Sequence, residues 1–327
     1  MDQPLPIQFV RDLVNSHAVA RCLHLVAELG VADVLQDQPT TAAELARRTG
    51  ADADALNRIL RLLAAHAVFA AETTGYVHTA ASRLLRGDHP KSLRSFARMM
   101  GMPVIWNGFT ELGKAARTGA PALGWSELLD YFSSHPGEAR LFNEAMVGKS
   151  GAIIPAVVEA YDFRPFKTIA DIGGGRGHLL QAILERSPTT TGVLFELPHV
   201  VVDSAQIASS RLRLETGDFF TDPLPPADGY LLMEVIHDWA DDRAAEILAA
   251  IRRAAPSHAK LLIIETVVSD APGPQFGKTL DVIMLAITGG RERTASEYQA
   301  LIDAAGFRFS RVIQTRSQHS VIEAVVT

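Results

Sequence analysis

Asp171, Gly173, Gly175, Gly177, Glu196 and Asp218 have the types and spacing to hold a charged, nucleotide-like cofactor. The glycines leave no side chains where a ligand must lie against the backbone, so N–H groups can face it. In Asp171-Ile172-Gly173-Gly174-Gly175-Arg176-Gly177-His178, an anion stands two residues before the glycines. A carboxylate there suits a cofactor with a cationic amino-acid end and repels a pyrophosphate. The nicotinamide fingerprint also needs glycine at its sixth position, where, counting from Gly173, this chain has His178. The pattern favours S-adenosyl-L-methionine over NAD.

Glu196 closes the run Thr191-Gly192-Val193-Leu194-Phe195-Glu196. An acid at the tip of the second strand, roughly 20 residues beyond a glycine turn, is where a ribose diol is held. The alternative is a cap for a helix beginning at Pro198. Asp218, in Gly217-Asp218-Phe219-Phe220, is a third acid at a strand end. It can accept from an adenine amino group while Phe219 covers the ring face.

These residues need elements to place them. Ile169, Ala170 and Ile172 form a short apolar strand, and Leu179, Leu180, Ile183 and Leu184 recur at helical spacing. Leu231-Leu232-Met233-Glu234-Val235-Ile236-His237-Asp238-Trp239 reads as a fourth strand running into a turn, with His237 at its carboxyl edge. Asp238 or Asp241 would cap the helix that follows. Leu261-Leu262-Ile263-Ile264 is a further strand, ending in Glu265. The order predicts an α/β fold with a doubly wound, Rossmann-like sheet and the cofactor at its carboxyl rim.

Five segments in order, Gly173–Gly177, Glu196-Leu197-Pro198-His199-Val200, Gly217–Phe220, His237-Asp238-Trp239 and Gly289-Gly290-Arg291-Glu292-Arg293-Thr294, carry a family resemblance. The chain resembles, over nearly its whole length, the metal-independent S-adenosylmethionine-dependent O-methyltransferases of the caffeate, flavonoid and bacterial polyketide or phenazine type. The resemblance implies methyl transfer to a hydroxyl of an aromatic small molecule, with His237 as general base and Glu265 and Glu292 flanking it. A phenol has a pKa of about 10, so a histidine of pKa near ~6.5 that removes its proton contributes roughly 10²–10⁴-fold. One carboxylate on the imidazole would fix its tautomer; the alternative for Glu292 is a surface pair with Arg291 or Arg293. The resemblance also implies acceptor contacts from Phe142, Met146, Asp238 and Met284, with Asp281 beside them. Two positions depart from the family: Glu196 stands where aspartate is common, and Met233 where plant members have lysine. Asp238, Asp241 and Asp242 offer a metal-dependent alternative, though acids at a helix start are ordinary, and no metal is expected. Two other functions compete: a cofactor-bound enzyme that does not methylate, and a DNA-binding regulator with a vestigial cofactor domain.

The 327 residues are 47% hydrophobic and 21% charged, with a net charge of −6, so bulk attraction to nucleic acid or an anionic membrane is not expected. A single cysteine, Cys22, excludes an intramolecular disulfide and fits a reducing cytoplasm. No apolar run approaches membrane-spanning length. Residues from about Leu5 to Leu35 read as helical, Thr40 to Glu44 as a capping box, and Gly50 as a helix end. Asp52 or Asp54 opens the next helix, and Phe69 to His78 forms a hairpin, which together make a winged helix. Residues 1–100 carry eleven lysines and arginines against ten aspartates and glutamates, too balanced for a DNA-reading face. By resemblance, residues 1–98 are a winged-helix dimerisation domain that forms a homodimer. Residues 99–160 are connecting helices contributing to a substrate lid, and 161–327 bind the cofactor.

Overall fold

The computed structural model describes residues 5–327. They divide into two compact units: the residues up to Asn107 with Asp130–Gly151, and Gly108–Leu129 with Ala152–Thr327. The stretch 99–160, read from sequence as one connector, is thus shared between the two.

The first unit begins with α1 (Pro6–Glu28) and α2 (Val31–Val34). The stretch expected to be helical to Leu35 is interrupted at Gly30, whose φ of 68° ends the α1 ladder. Then come α3 (Ala42–Thr49), α4 (Ala53–Ala65), the hairpin β1 (Phe69–Glu72) and β2 (Gly75–His78), α5 (Ala80–Arg83) and α6 (Arg94–Met100). Thr41 accepts from the Glu44 N–H, but the Glu44 carboxylate turns to Arg47 and Arg48, so only half of the capping box forms. Asp52, not Asp54, caps α4. Thr40 pairs with Tyr76 beside the hairpin, which completes the winged-helix pattern around Leu45, Leu56, Leu60 and Phe69. Leu5, Ile7, Phe9, Val10, Leu13 and Val14 of the chain's start lie exposed, Ile7 at 76%.

Helices α7 (Pro103–Thr110), α8 (Leu112–Thr118), α9 (Trp125–Ser134) and α10 (Pro136–Ala160) follow. The second unit is then built on seven strands: β3 (Thr168–Ile172), β4 (Thr191–Glu196), β5 (Leu212–Thr216), β6 (Gly229–Met233), β7 (Lys260–Glu265), β10 (Phe307–Gln314) and β11 (Ser320–Val326). Between them run α11 (His178–Arg186), α12 (Pro198–Asp203), α13 (Asp241–Ala254), α14 (Phe276–Ile287) and α15 (Ala295–Ala304). Two short strands, β8 (Val267–Val268) and β9 (Arg293–Thr294), pair in parallel outside the main sheet.

The sheet order is β10-β11-β7-β6-β3-β4-β5, with every strand running the same way except β11, which is antiparallel to both of its neighbours, β7 and β10. The parallel strands are nearly continuous apolar runs because helices cover both faces. Ala170, Ile172, Leu232 and Ile263 pack on α13 and α15, whereas Ile169, Leu231 and Leu262 pack on α11 and the end of α10. From β3 the chain proceeds outward to β4 and β5, then returns to β6 on the other side. The strand order therefore reverses between β3 and β6, and a crevice at their carboxyl ends is where such a sheet binds its ligand. Asp171 pairs with Leu231 across that boundary. No described helix is long and apolar enough to cross a membrane.

Candidate active site

The glycine turn leaves β3 with Gly173, Gly175 and Gly177 at φ values of 68°, 57° and 71°. At Gly174 there is no room for a side chain, since a Cβ would lie 2.4 Å from the Asp171 carboxylate. Asp171 itself is 1% exposed, and neither of its carboxylate oxygens has a hydrogen-bond partner among the described residues. Burial, helped by the charge of Glu196, pushes its pKa up to about 7. An orphaned buried carboxylate is costly, and a cofactor ammonium placed there supplies the missing charge and donors. The residues present thus fit S-adenosylmethionine.

Glu196 closes β4 beside the turn. Its Oε1 accepts the Gly175 N–H at 3.1 Å and its Oε2 the Leu197 N–H at 2.6 Å, and burial raises its pKa. It does not cap α12, whose N-terminus has no side-chain cap. A carboxylate has about four acceptor positions, so capacity for a diol is left. Asp218 lies two residues past the end of β5, where its Oδ1 accepts the Phe220 N–H at 2.8 Å. Phe219 reaches over the turn, with its Cε1 3.5 Å from where a Gly173 Cβ would lie. Phe220 and Trp239 brace it edge-on, and the Arg243 guanidinium stacks 3.6 Å above Phe220.

His237 sits in a short 3-10 turn, Ile236–Asp238, just past β6. The ring is buried, and its Nδ1 lies 2.6 Å from Glu292 Oε1, with Glu292 only 2% exposed. Glu292 is therefore on the imidazole and not at the surface with its arginine neighbours. Nε2 lies 3.7 Å from Asp238 Oδ1. Burial alone would lower the His237 pKa, but the charges of Glu265, Asp238 and Glu292 and the Glu292 hydrogen bond outweigh it and lift the pKa to about 10. The ordinary value assumed from the sequence does not survive this acidic surround.

Glu265 holds the peptide that carries the ring. Its Oε1 accepts three successive backbone N–H groups, from Val235, Ile236 and His237, at 3.1, 2.7 and 3.1 Å, and its Oε2 accepts the Tyr298 hydroxyl at 2.8 Å. From the other side the Arg291 N–H donates to the His237 carbonyl at 2.7 Å. Gly290 makes that approach possible, since any side chain there would strike the same carbonyl. His237, Glu265 and Glu292 offer atoms within 4.8 Å of one another, yet hydrogen bonds already engage Glu265 and His237 Nδ1, which leaves a poor metal-ligand set.

Asp238 and Asp241 do not cap α13; Ala240 holds that position and Asp241 pairs with Arg291 and Arg293. Those two arginines also neutralise Asp241 as a hard-cation ligand. Met284 is buried on α14, and Asp281, on the same helix, accepts the Glu292 N–H at 3.0 Å. Phe142 and Met146 lie one turn apart on α10 in the first unit, where Phe142 packs 4.9 Å from Phe132. Met233 stays apolar and packs beneath the rim. Three features were missed from sequence. Glu234, beside the site, has a left-handed φ of 56° and pairs with buried His319 at 3.1 Å. Tyr298 gave no local signal. Arg293 is fully buried, although Thr294-Ala295-Ser296-Glu297 after it is a legible capping box that fixes where α15 starts.

Family comparison agrees with this geometry. The family described as the O-methyltransferase domain matches residues 109–308, and the O-methyltransferase dimerisation domain matches residues 11–88. Phenazine O-methyltransferase PhzM of Lysobacter antibioticus is 41% identical over 95% of this chain and 94% of its own length. The mitomycin biosynthesis 6-O-methyltransferase of Streptomyces lavendulae is 34% identical over 92% and 89%. Among solved structures, the calicheamicin-biosynthesis methyltransferase CalO1 in its S-adenosylhomocysteine-bound form covers 100% of both chains, with a TM-score of 0.89 at 33% identity.

Proposed function

This chain belongs to the S-adenosylmethionine-dependent O-methyltransferase family, and from that membership we propose that it methylates a hydroxyl of an aromatic small molecule with His237 as the base. The observation that carries the reading is the buried His237–Glu292 pair at the same sheet rim as Asp171, whose carboxylate has no hydrogen-bond partner among the described residues. Bound S-adenosylmethionine supplies a methyl group already activated by its positive sulfur. Asp171 takes the ammonium end, Glu196 the ribose hydroxyls, Asp218 the adenine amino group, and Phe219 the adenine face.

His237 handles the acceptor proton at Nε2 while Glu292 holds Nδ1 and supports the cationic ring. A base raised to about 10 matches a phenol of pKa about 10, so the proton passes between them at little cost. Asp238, beside Nε2, and Met284, on α14, are the acceptor contacts in this unit. Phenazine and mitomycin enzymes among the relatives support a fused or quinonoid aromatic acceptor. The exposed apolar face of α1 lies next to and within the segment that matches the dimerisation domain, which supports pairing of two copies through the first unit.

The test is a labelled-methyl assay on hydroxylated polycyclic aromatics, with S-adenosylhomocysteine release measured in parallel. His237→Ala should cut turnover by roughly 10²–10⁴-fold while calorimetry shows cofactor affinity within about twofold. Methylation by that variant at the parent rate removes the assigned base.

A further inference from the structure

We infer that Arg293 is the positioning residue that holds His237 and Glu292 in register. Its side chain is 1% exposed, and all three guanidinium nitrogens donate hydrogen bonds. Nη1 donates to the Ile236 and Arg291 carbonyls, each at 3.2 Å. Nη2 donates to the Trp239 carbonyl at 2.9 Å and pairs with Asp241 at 2.8 Å, while Nε donates to Asp241 Oδ1 at 2.9 Å.

Those acceptors fall on both segments that carry the pair. Ile236 and Trp239 bracket His237 and Asp238, whereas Arg291 immediately precedes Glu292. The two segments are 55 residues apart in sequence and meet through the 2.6 Å contact between Nδ1 and Oε1. Glu265 secures the N–H groups of the His237 turn, but it has no bond to the 291–293 loop. Arg293 grips carbonyls on both, so together with the Arg291 N–H bond to the His237 carbonyl it fixes their separation. Its rigid planar fork is what makes this possible, because a lysine puts all its donors on one nitrogen and cannot reach the Ile236, Arg291, Trp239 and Asp241 acceptors together. Arg293 does not touch the reacting atoms, so it acts through the pair.

The inference rests on the reading of His237 as base, and the experiment separates the two. Arg293→Lys is measured for kcat, for KM of S-adenosylmethionine, and for the proton NMR resonance of the His237 Nδ1–H, which the short Glu292 bond moves downfield. A misplacement near 1 Å costs about 10²-fold in rate, so kcat should fall by roughly 10–100-fold with KM for the cofactor held within about twofold, and the resonance should move upfield or vanish. Parent kcat together with a parent resonance overturns the inference. A displaced resonance with parent kcat upholds the positioning and instead overturns the base assignment. If Arg293→Lys does not fold, Asp241→Asn, at a half-exposed partner, is judged by the same readouts. It should lower kcat several-fold and shift the resonance, and no change in either overturns the inference.

Discussion

The Glu265 carboxylate accepts the backbone N–H of His237 at 3.1 Å, and so it grips the peptide that carries the imidazole, not the ring. The N–H groups of Val235 and Ile236 converge on the same oxygen. A buried anion receiving three backbone donors sets the path of the turn, which in turn sets where Nε2 can point.

Replacing Glu265 by alanine strands three buried N–H groups, each worth about 1–3 kcal/mol when unsatisfied. Glu265→Ala should therefore lose several kcal/mol in denaturant unfolding. Glu265→Gln keeps an acceptor oxygen and should lose much less. Equal stability of the alanine variant and the parent would remove the clamp.

With His237 as the proposed base, its pair with Glu292 predicts a definite pH dependence of activity. The folded pKa of His237, about 10, lies above its ordinary value of 6.5. The favourable interaction is therefore complete below about pH 6.5 and is lost as pH rises through 10. Since Nε2 accepts a proton only when neutral, kcat/KM should climb toward the alkaline side. Glu292→Gln removes one raising charge, so the climb should move toward neutral pH while its plateau drops with the loss of ring orientation. Profiles taken with an acceptor of known hydroxyl pKa check this, and coincident midpoints in parent and variant contradict it.

With Asp171 as the proposed seat of the cofactor ammonium, stability is traded for binding. Its folded pKa of about 7 lies above the ordinary 3.8, so the cofactor-free protein loses stability as pH rises from near 4 through 7. Asp171→Asn should melt higher than the parent at pH 8, and the two melting temperatures should converge near pH 4. The same change removes a charge-assisted hydrogen bond worth about 1.5–3 kcal/mol, so cofactor affinity should fall by roughly 10- to 100-fold. A variant that binds the cofactor at parent strength would show that the ammonium is held elsewhere.

The apolar start of α1 is testable without touching the site. Phe9→Glu combined with Leu13→Glu places two charges on a face that is already exposed within one chain, so folding should be unaffected. If that face is the contact between copies, light scattering should show the double variant at half the parent mass. Retention of the parent mass would place the contact elsewhere.

How much of this was legible in sequence depends on how local each feature is. Strand ends and the glycine turn were readable because apolar runs and their terminators are short-range signals, and β4 runs from Thr191 to Glu196 as its apolar pattern indicates. His237 at the strand rim follows in the same way. Gly30 was passed over because helical periodicity continues on both sides of it, and only its positive φ shows the break.

The sequence by itself determined a parallel sheet, a glycine turn led by Asp171, and a histidine at the same rim. Only the tertiary structure decided that Glu292 takes the ring and Glu265 the backbone, that Arg293 lies buried between two loops, and that the Asp171 carboxylate has no hydrogen-bond partner among the described residues. These are contacts between segments tens of residues apart, and side chains of the same type differ there only in where the fold places them. Burial then multiplies the difference, because a charge in a low-dielectric site acts on its neighbours far more strongly than the same charge in water.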